Sequence, residues 1–360
     1  MSNPYERLAP EAFWKNAVAA KSAFDIGGLW KPKFAVTPGM PIVTAGSCFA
    51  QHIGKALAKR GYLWHDAEPA PPIIDPESAR TYNYGIFSFR TGNIYTTRML
   101  RQWLEQAHGK TEPMWEIWQD GQGRCFDPLR PTIEPAGFAS KEELHEAREV
   151  TYAALRRAVK TARVFIFTLG LTESWSNRRT REEYASCPGT AAGSYDSKKH
   201  VFVNHRVDAI LADLEAALAL LRAENPAIKV LLTVSPVPLT ATASGQHVLT
   251  ATSYSKSTLR AVAGMAAQDH DWVDYFPSYE IINTTPFRGM FFEPNMRSVN
   301  PNGVDFVMRN FFLDQEAAFG PQKALETPPR TQHNTTKISP SPRRRSGAVI
   351  CEEEMLNAFG

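Results

Sequence analysis

The feature that most constrains this chain is a rhythm of short, almost uninterrupted apolar runs alternating with segments of helical periodicity. Ile42-Val43-Thr44-Ala45-Gly46 precedes a helix expected from about Phe49 to Lys59. A helix from about Lys141 to Thr161 leads into Val164-Phe165-Ile166-Phe167-Thr168-Leu169-Gly170. Ile210, Leu211, Leu214, Leu218 and Leu221 recur at helical spacing and predict a helix from about Val207 to Ala223, feeding Lys229-Val230-Leu231-Leu232-Thr233-Val234. A further helix near Ser255 to Gln268 leads to Trp272-Val273-Asp274-Tyr275-Phe276. Strands that are apolar on both faces and separated by helices belong in a parallel sheet covered on both sides. The expected class is α/β, a three-layer αβα sandwich around a central parallel sheet.

Two stretches break the rhythm and read as insertions. Residues 110–135 contain Trp115-Glu116-Ile117-Trp118, a glycine-containing turn at Asp120-Gly121-Gln122-Gly123, and Arg124-Cys125-Phe126, the pattern of a hairpin. Residues 176–205 are polar and follow the end of a predicted parallel strand, where doubly wound sheets place their ligand crevice. After Gly320 the chain turns rich in proline, serine and threonine and carries Arg343-Arg344-Arg345, the composition of a tail, with residues 350–360 open to a short helix. The expected organisation is an N-terminal extension over 1–37 packing on the core, one α/β domain over 38–319, and a flexible tail over 320–360.

With 40 basic against 37 acidic residues, the net charge of +3 supplies no broad field for nucleic acid, and most of it lies on the tail. No stretch has the roughly 18 consecutive apolar residues of a membrane-spanning helix, and the first thirty residues are charged throughout. Cys48, Cys125, Cys187 and Cys351 form no CxxC pair, so neither a zinc ribbon nor a disulfide framework is expected. These features lead to the expectation of a cytoplasmic protein with no metal site and no nucleic-acid partner.

The most specific segment is Thr44-Ala45-Gly46-Ser47-Cys48-Phe49-Ala50-Gln51-His52-Ile53-Gly54, coming off the first strand and opening a helix. A glycine turn there raises a side chain above the sheet edge among backbone amides that the helix leaves without acceptors, a natural oxyanion site. The positive end of the helix dipole also stabilises a thiolate placed like Cys48. The plainer alternative is a buried structural cysteine beside Ser47 acting as an N-cap.

Gly46-Ser47-Cys48-Phe49-Ala50 is the signature for which the GSCFA family is named, and the chain resembles that family, which looks like a branch of the SGNH (GDSL-type) hydrolase superfamily. Gly92-Asn93-Ile94-Tyr95, Leu169-Gly170-Leu171-Thr172-Glu173, Thr233-Val234-Ser235-Pro236-Val237-Pro238 and Tyr254-Ser255-Lys256-Ser257-Thr258-Leu259 resemble its further blocks in order, so the likeness spans about residues 38–315. The resemblance implies a flavodoxin-like sheet. It sets Cys48 in the nucleophile's place and Ser47 where the superfamily has Asp; a slip of one residue makes Ser47 the nucleophile instead. It implies oxyanion or substrate-binding roles for Gly46, Gly92, Asn93, Gly170 and Thr172, the last standing where the superfamily has Asn.

The superfamily's closing Asp-x-x-His falls on Glu293-Pro294-Asn295-Met296-Arg297-Ser298-Val299-Asn300-Pro301, which contains no histidine. A general base would come from elsewhere. His52 is one helical turn below Cys48 and His247 follows the Val234 strand, with His200 and His205 in the polar insertion as further candidates. Glu173 would orient a histidine or bind a substrate hydroxyl, and Ser255 with Lys256 would bind an anionic group near a helix start. Trp115, Trp118, Trp175 and Tyr95 are candidate platforms for sugar rings or packing residues. The implied activity is an esterase or O-acyltransferase acting on a small-molecule or carbohydrate ester, an acetyl ester first of all. No cofactor is expected unless a transferase outcome calls for a donor such as acetyl-CoA. The alternative is a catalytically degenerate scaffold that binds a carbohydrate or protein partner.

Overall fold

The computed structural model describes residues 3–322 and 352–359. In chain order the elements are β1 (Ile42–Gly46), α1 (Ala50–Lys59), α2 (Pro76–Thr81), α3 (Thr97–Ala107), β2 (Trp118–Gln119), β3 (Cys125–Phe126) and α4 (Lys141–Thr161). There follow β4 (Val164–Leu169), β5 (Glu173–Asn177), β6 (Glu183–Tyr184), β7 (His200–Asn204), α5 (Val207–Glu224), β8 (Lys229–Val234), α6 (Val248–Asp269), β9 (Val273–Tyr275), α7 (Ser278–Asn283) and α8 (Pro301–Phe319).

The central sheet is parallel with strand order β1-β4-β8-β9. On the outer side of β1 the chain passes once more in parallel, where Ile42 bridges Trp64, takes its amide bond to Leu63 O and accepts from His65 N. Counting that single bridge as a vestigial second strand, the order becomes the flavodoxin-like 2-1-3-4-5.

Alternation along each strand divides the core into two layers. Val43, Ala45, Phe165, Phe167, Leu169, Val230, Leu232 and Val234 face α3, α4, α5 and α6. Ile42, Val164, Ile166 and Leu231 face α1, α7 and α8. This two-sided burial is why the strands read as continuous apolar runs. Trp30 of the N-terminal segment joins the second layer, its ring stacked on Phe311 at 5.2 Å and its indole N–H donated to Asp274.

Residues 110–135 contain the β2–β3 hairpin, and β6-β5-β7 form a small antiparallel sheet standing on the C-terminal edge of the main one. The expected flexible tail falls, for residues 323–351, outside the described residues. Residues 352–359 form a short 3-10 helix tied to the body by ion pairs from Arg297 to Glu353 and Glu354.

The hairpin region also holds a buried ionic network. The Asp127 carboxylate accepts from Arg130 Nε at 2.9 Å and Arg148 Nη2 at 2.7 Å, all three side chains being wholly enclosed. Arg130 continues to Arg90 O and Thr151, and Thr151 and the Arg90 amide both bond Glu68. The network thus pins Arg90, two residues before Gly92. Burial opposes the Asp127 charge, but the two guanidinium groups outweigh it and hold the carboxyl down from 3.8 to about 2.

Asp127→Asn would leave two buried cations without their counter-charge and is expected to cost about 3–5 kcal/mol in urea unfolding at pH 7. Because the folded carboxyl titrates below its unfolded value, its stabilising contribution is complete above about pH 4 and disappears as pH falls through about 2. Unfolding measured between pH 5 and 2 should show the wild type, but not the variant, losing on the order of 2 kcal/mol to this group.

Candidate active site

The turn after β1 is held against β4. Gly46 pairs with Thr168, has φ +126°, and a Cβ there would fall 2.4 Å from the Thr168 carbonyl oxygen, so only glycine fits. Ser47 N donates to Thr168 O at 3.0 Å, and the turn closes with Ala50 N to Ser47 O, Gln51 N to Cys48 O and His52 N to Phe49 O. These bonds engage carbonyls; α1 itself offers no acceptor to the amides of Cys48 and Phe49.

No side chain caps α1, so Ser47 is not an N-cap. Ser47 is 2% exposed, and its buried hydroxyl has no hydrogen-bond partner among the described residues. Cys48 beside it is 6% exposed. A buried hydroxyl left unsatisfied is costly and calls for an explanation.

Two further sequence blocks are drawn to this turn. Ile94 N donates to Gly46 O at 2.8 Å, which brings Gly92 (φ +68°) and the buried Asn93 alongside. The Tyr95 carbonyl accepts from Gly170 N at 3.0 Å and Leu171 N at 2.9 Å. Gly170 lies so close to the turn that a Cβ on it would meet Ser47 Cβ at 2.9 Å. Gly46, Ser47, Cys48, Gly92, Asn93 and Gly170 are therefore together.

Other candidates have different partners. Thr172, expected to stand in for an oxyanion asparagine, donates its hydroxyl to Asn204 Oδ1 at 2.8 Å and its amide to Ser255 Oγ at 3.1 Å, so neither proton is directed at an oxyanion. Ser255 and Lys256 are not at a helix start: α6 begins seven residues earlier and both are buried within it. Ser255 supports the Thr172 amide. Lys256 is 1% exposed and donates to the Gly170 carbonyl at 2.7 Å. Glu173 orients no histidine; it accepts from Thr242 Oγ1 at 2.7 Å, and burial raises its pKa.

The histidines are dispersed. His247 is the exposed N-cap of α6, Nδ1 accepting from Leu249 N at 3.2 Å. His52 packs on the Phe49 ring, and burial together with Lys55 lowers it to about 4. It is neutral at pH 7 but a weak base. His200 accepts from Asp196 N and faces Glu116 at 3.7 Å. His205 bonds Glu183 and lies 3.2 Å from Ser174 Oγ. Burial opposes the charge of Glu183, yet the bonds from His205, Thr96 and Ser174 hold its pKa below the usual carboxylate range.

Next to the turn opens a cavity of about 830 Å³. Tyr95, Leu171 and Glu173 at the sheet edge, Trp175, Glu183 and Tyr195 of the small sheet and its loops, and the 239–243 loop line it. Ser47 and Cys48 are not among its lining residues; they lie behind Tyr95 and Gly170. Trp175 and Tyr95 are thus at the cavity, whereas Trp118 packs on Tyr184 in the core and Trp115 on His145 at the surface. Glu183, Ser174, Arg297 and Glu353 escaped the sequence reading: Glu183 lies in the polar insertion without periodicity, Ser174 just before it in β5, and the last two are separated by more than fifty residues. Among the described residues no group of three or more His, Cys, Asp or Glu is placed to hold a metal ion, and no helix is long and apolar enough to cross a membrane.

The signature turn and its neighbouring blocks fall inside the stretch, residues 41–311, that matches the model of the GSCFA family. The chain belongs to the GSCFA family. No curated protein matches its sequence. Among solved structures this GSCFA protein is similar to a carbohydrate esterase family 3 protein from Talaromyces cellulolyticus, at 13% identity over 60% of this chain and 87% of that one, TM-score 0.25. It is also similar to a mutant acetyl esterase solved with acetate ion, at 14% identity over 62% and 93%, TM-score 0.24. Likenesses this distant say nothing about what the GSCFA protein does.

The close approach at Gly46 makes a sharp expectation. Gly46→Ala would combine a clash with the Thr168 carbonyl and a backbone conformation that alanine resists, at an expected loss of about 3 kcal/mol or more in urea unfolding. A loss under 1 kcal/mol would mean that β1 is free to shift from β4.

Proposed function

We propose that this protein handles esters by acyl transfer, with Cys48 as nucleophile and Ser47 as the alternative one residue away. The observation that carries the reading is the turn itself: a buried hydroxyl without a partner among the described residues and a thiol at the uncapped start of a helix, packed against glycines on both sides. The nucleophile attacks the acyl carbonyl and the carbonyl electrons move to oxygen. The amides at the start of α1, with Gly92 and Asn93 beside them, stabilise that oxyanion. Collapse of the tetrahedral species breaks the ester C–O bond and expels the alkoxide, which takes from solvent the proton that the nucleophile gave up to solvent; water or an acceptor hydroxyl then attacks the acyl-enzyme, loses its proton to solvent and releases the nucleophile. The substrate class this reading favours is an O-acetylated carbohydrate or related hydroxyl compound, with Trp175 and Tyr95 as apolar faces for the ring. The resemblance to SGNH hydrolases supports it. A transferase outcome would take its acyl group from a donor such as acetyl-CoA; a hydrolase needs none.

One observation favours a second reading, a binding protein on a degenerate hydrolase scaffold. The Thr172 protons are committed to Asn204 and Ser255, and the rings of His200, His205 and His247 have their hydrogen bonds elsewhere.

Turnover of 4-nitrophenyl acetate separates the two. Cys48→Ala is expected to lower kcat/KM by about a thousandfold, and peptide mass spectrometry after rapid quenching should find the acetyl group on Cys48. An adduct on Ser47 would transfer the role to the hydroxyl, and no turnover with no adduct would leave the binding protein. Thiol alkylation at pH 7 gives a second measure. Burial pushes the Cys187 thiol up to about 11, and of the buried pair Cys48 and Cys125 it is Cys48 that stands at a helix start able to stabilise its thiolate, so Cys48 should react at least tenfold faster than either. Equal rates would count against an activated thiol.

A further inference from the structure

The cavity is closed on one side by the chain's own C-terminal 3-10 helix, which contributes Glu353, Leu356 and Phe359 to its wall. The helix inserts a carboxylate. Glu353 Oε2 is 3.1 Å from Arg297 Nη2, and both side chains are only 13% exposed. Burial raises the pKa of Glu353, and the Arg297 guanidinium, the Lys256 ammonium and the Thr240 amide act against that rise. Arg297 is held out on a tight loop, its amide bonded to Asn295 Oδ1 and the preceding Met296 at φ +53°. It stands in the block where the superfamily resemblance implied a histidine. Lys256 reaches the other way, to the carbonyl of Gly170, the glycine packed on Ser47.

Two cations and a backbone amide converging on one carboxylate are a recognition device for that group. A guanidinium and an ammonium enclosed this far are stable only with an anion beside them. Leu356 and Phe359 add the apolar face of an occupant that is charged at one end. The cations belong to the domain body, while the anion comes from the separate C-terminal 3-10 helix, so a small molecule of the same character can take its place.

We propose that Arg297, Lys256 and the Thr240 amide form a carboxylate subsite beside the Ser47–Cys48 turn, and that Glu353 of the C-terminal helix is its intramolecular occupant. The ligand is a small organic ester or alcohol bearing a carboxylate, and it binds in competition with the helix. That this ligand is the substrate rests on the acyl-transfer reading; the subsite does not.

The test is binding, which needs no turnover. Calorimetry on the full chain at pH 7 compares 4-hydroxybenzoate with its neutral analogue 4-hydroxybenzamide. Glu353→Gln removes the competing charge and should tighten the carboxylate at least tenfold while changing the amide little. Adding Arg297→Gln should abolish the gain. Equal carboxylate affinity in wild type and Glu353→Gln, or an equal gain for the amide, overturns the proposal. A second measurement uses the unaltered chain, in case the variants unfold. Millimolar 4-hydroxybenzoate, but not the amide, should speed cleavage by a glutamate-specific protease after Glu353 and Glu354, and a rate unaffected by the acid overturns the competition. Loss of ester turnover in Cys48→Ala with these binding results intact would bear on the nucleophile alone. Inactivity throughout, with the carboxylate still discriminated, would overturn the acyl-transfer reading and leave the subsite standing.

Discussion

The close packing of Gly46 on Thr168 is the constraint on which the site depends. Any side chain at position 46 would occupy the space of the neighbouring carbonyl, so β1 runs hard against β4 to its last residue and the chain must turn sharply there. Ser47 is bonded through its amide to the same Thr168, and Gly46 itself receives the Ile94 amide that carries Gly92 and Asn93 into place. Gly170 completes the arrangement from the end of β4, again because a Cβ would strike Ser47. Three separated segments thus meet within a few ångströms of one hydroxyl and one thiol.

The protein buries several charged side chains. Asp127 between Arg130 and Arg148, Glu183 under Thr96, Ser174 and His205, and Lys256 against the Gly170 carbonyl are all nearly inaccessible. Each ion is costly to remove from water and tolerable only with its partners in fixed geometry, so each network acts as a rigid strut. The Asp127 strut ends at Arg90, just before Gly92, and the Glu183 strut forms part of the cavity floor. Cost in desolvation is exchanged for precise loop placement, which apolar packing at irregular backbone does less well.

Where periodicity and propensity agreed, the sequence was readable nearly to the residue. The helix expected over Lys141–Thr161 has those bounds, because Ser140 caps it and Leu144, Tyr152, Leu155 and Val159 recur at helical spacing. The start of α6 was not readable. Residues 248–254 are rich in threonine and β-branched side chains that disfavour helix, but Ala251 is buried against Tyr95, Leu171 and Leu239, and that packing prevails. The consequence reached the site: Ser255 and Lys256 moved from a solvated first turn to the buried middle of a helix. The histidines were equally opaque, since sequence position locates a ring on a strand edge or helix face without saying which polar group it meets.

The sequence by itself determined the α/β class, the two-sided sheet and the glycine turn bearing Ser47 and Cys48, because these follow from local periodicity and from the one residue type that tolerates the turn. Only the tertiary structure decided that Thr172 bonds Asn204, that Lys256 holds the Gly170 carbonyl and that Glu353 lies against Arg297. Those pairings join residues up to 86 positions apart, and no local pattern encodes them. Their energies arise from exclusion of water, which exists only after the layers have closed.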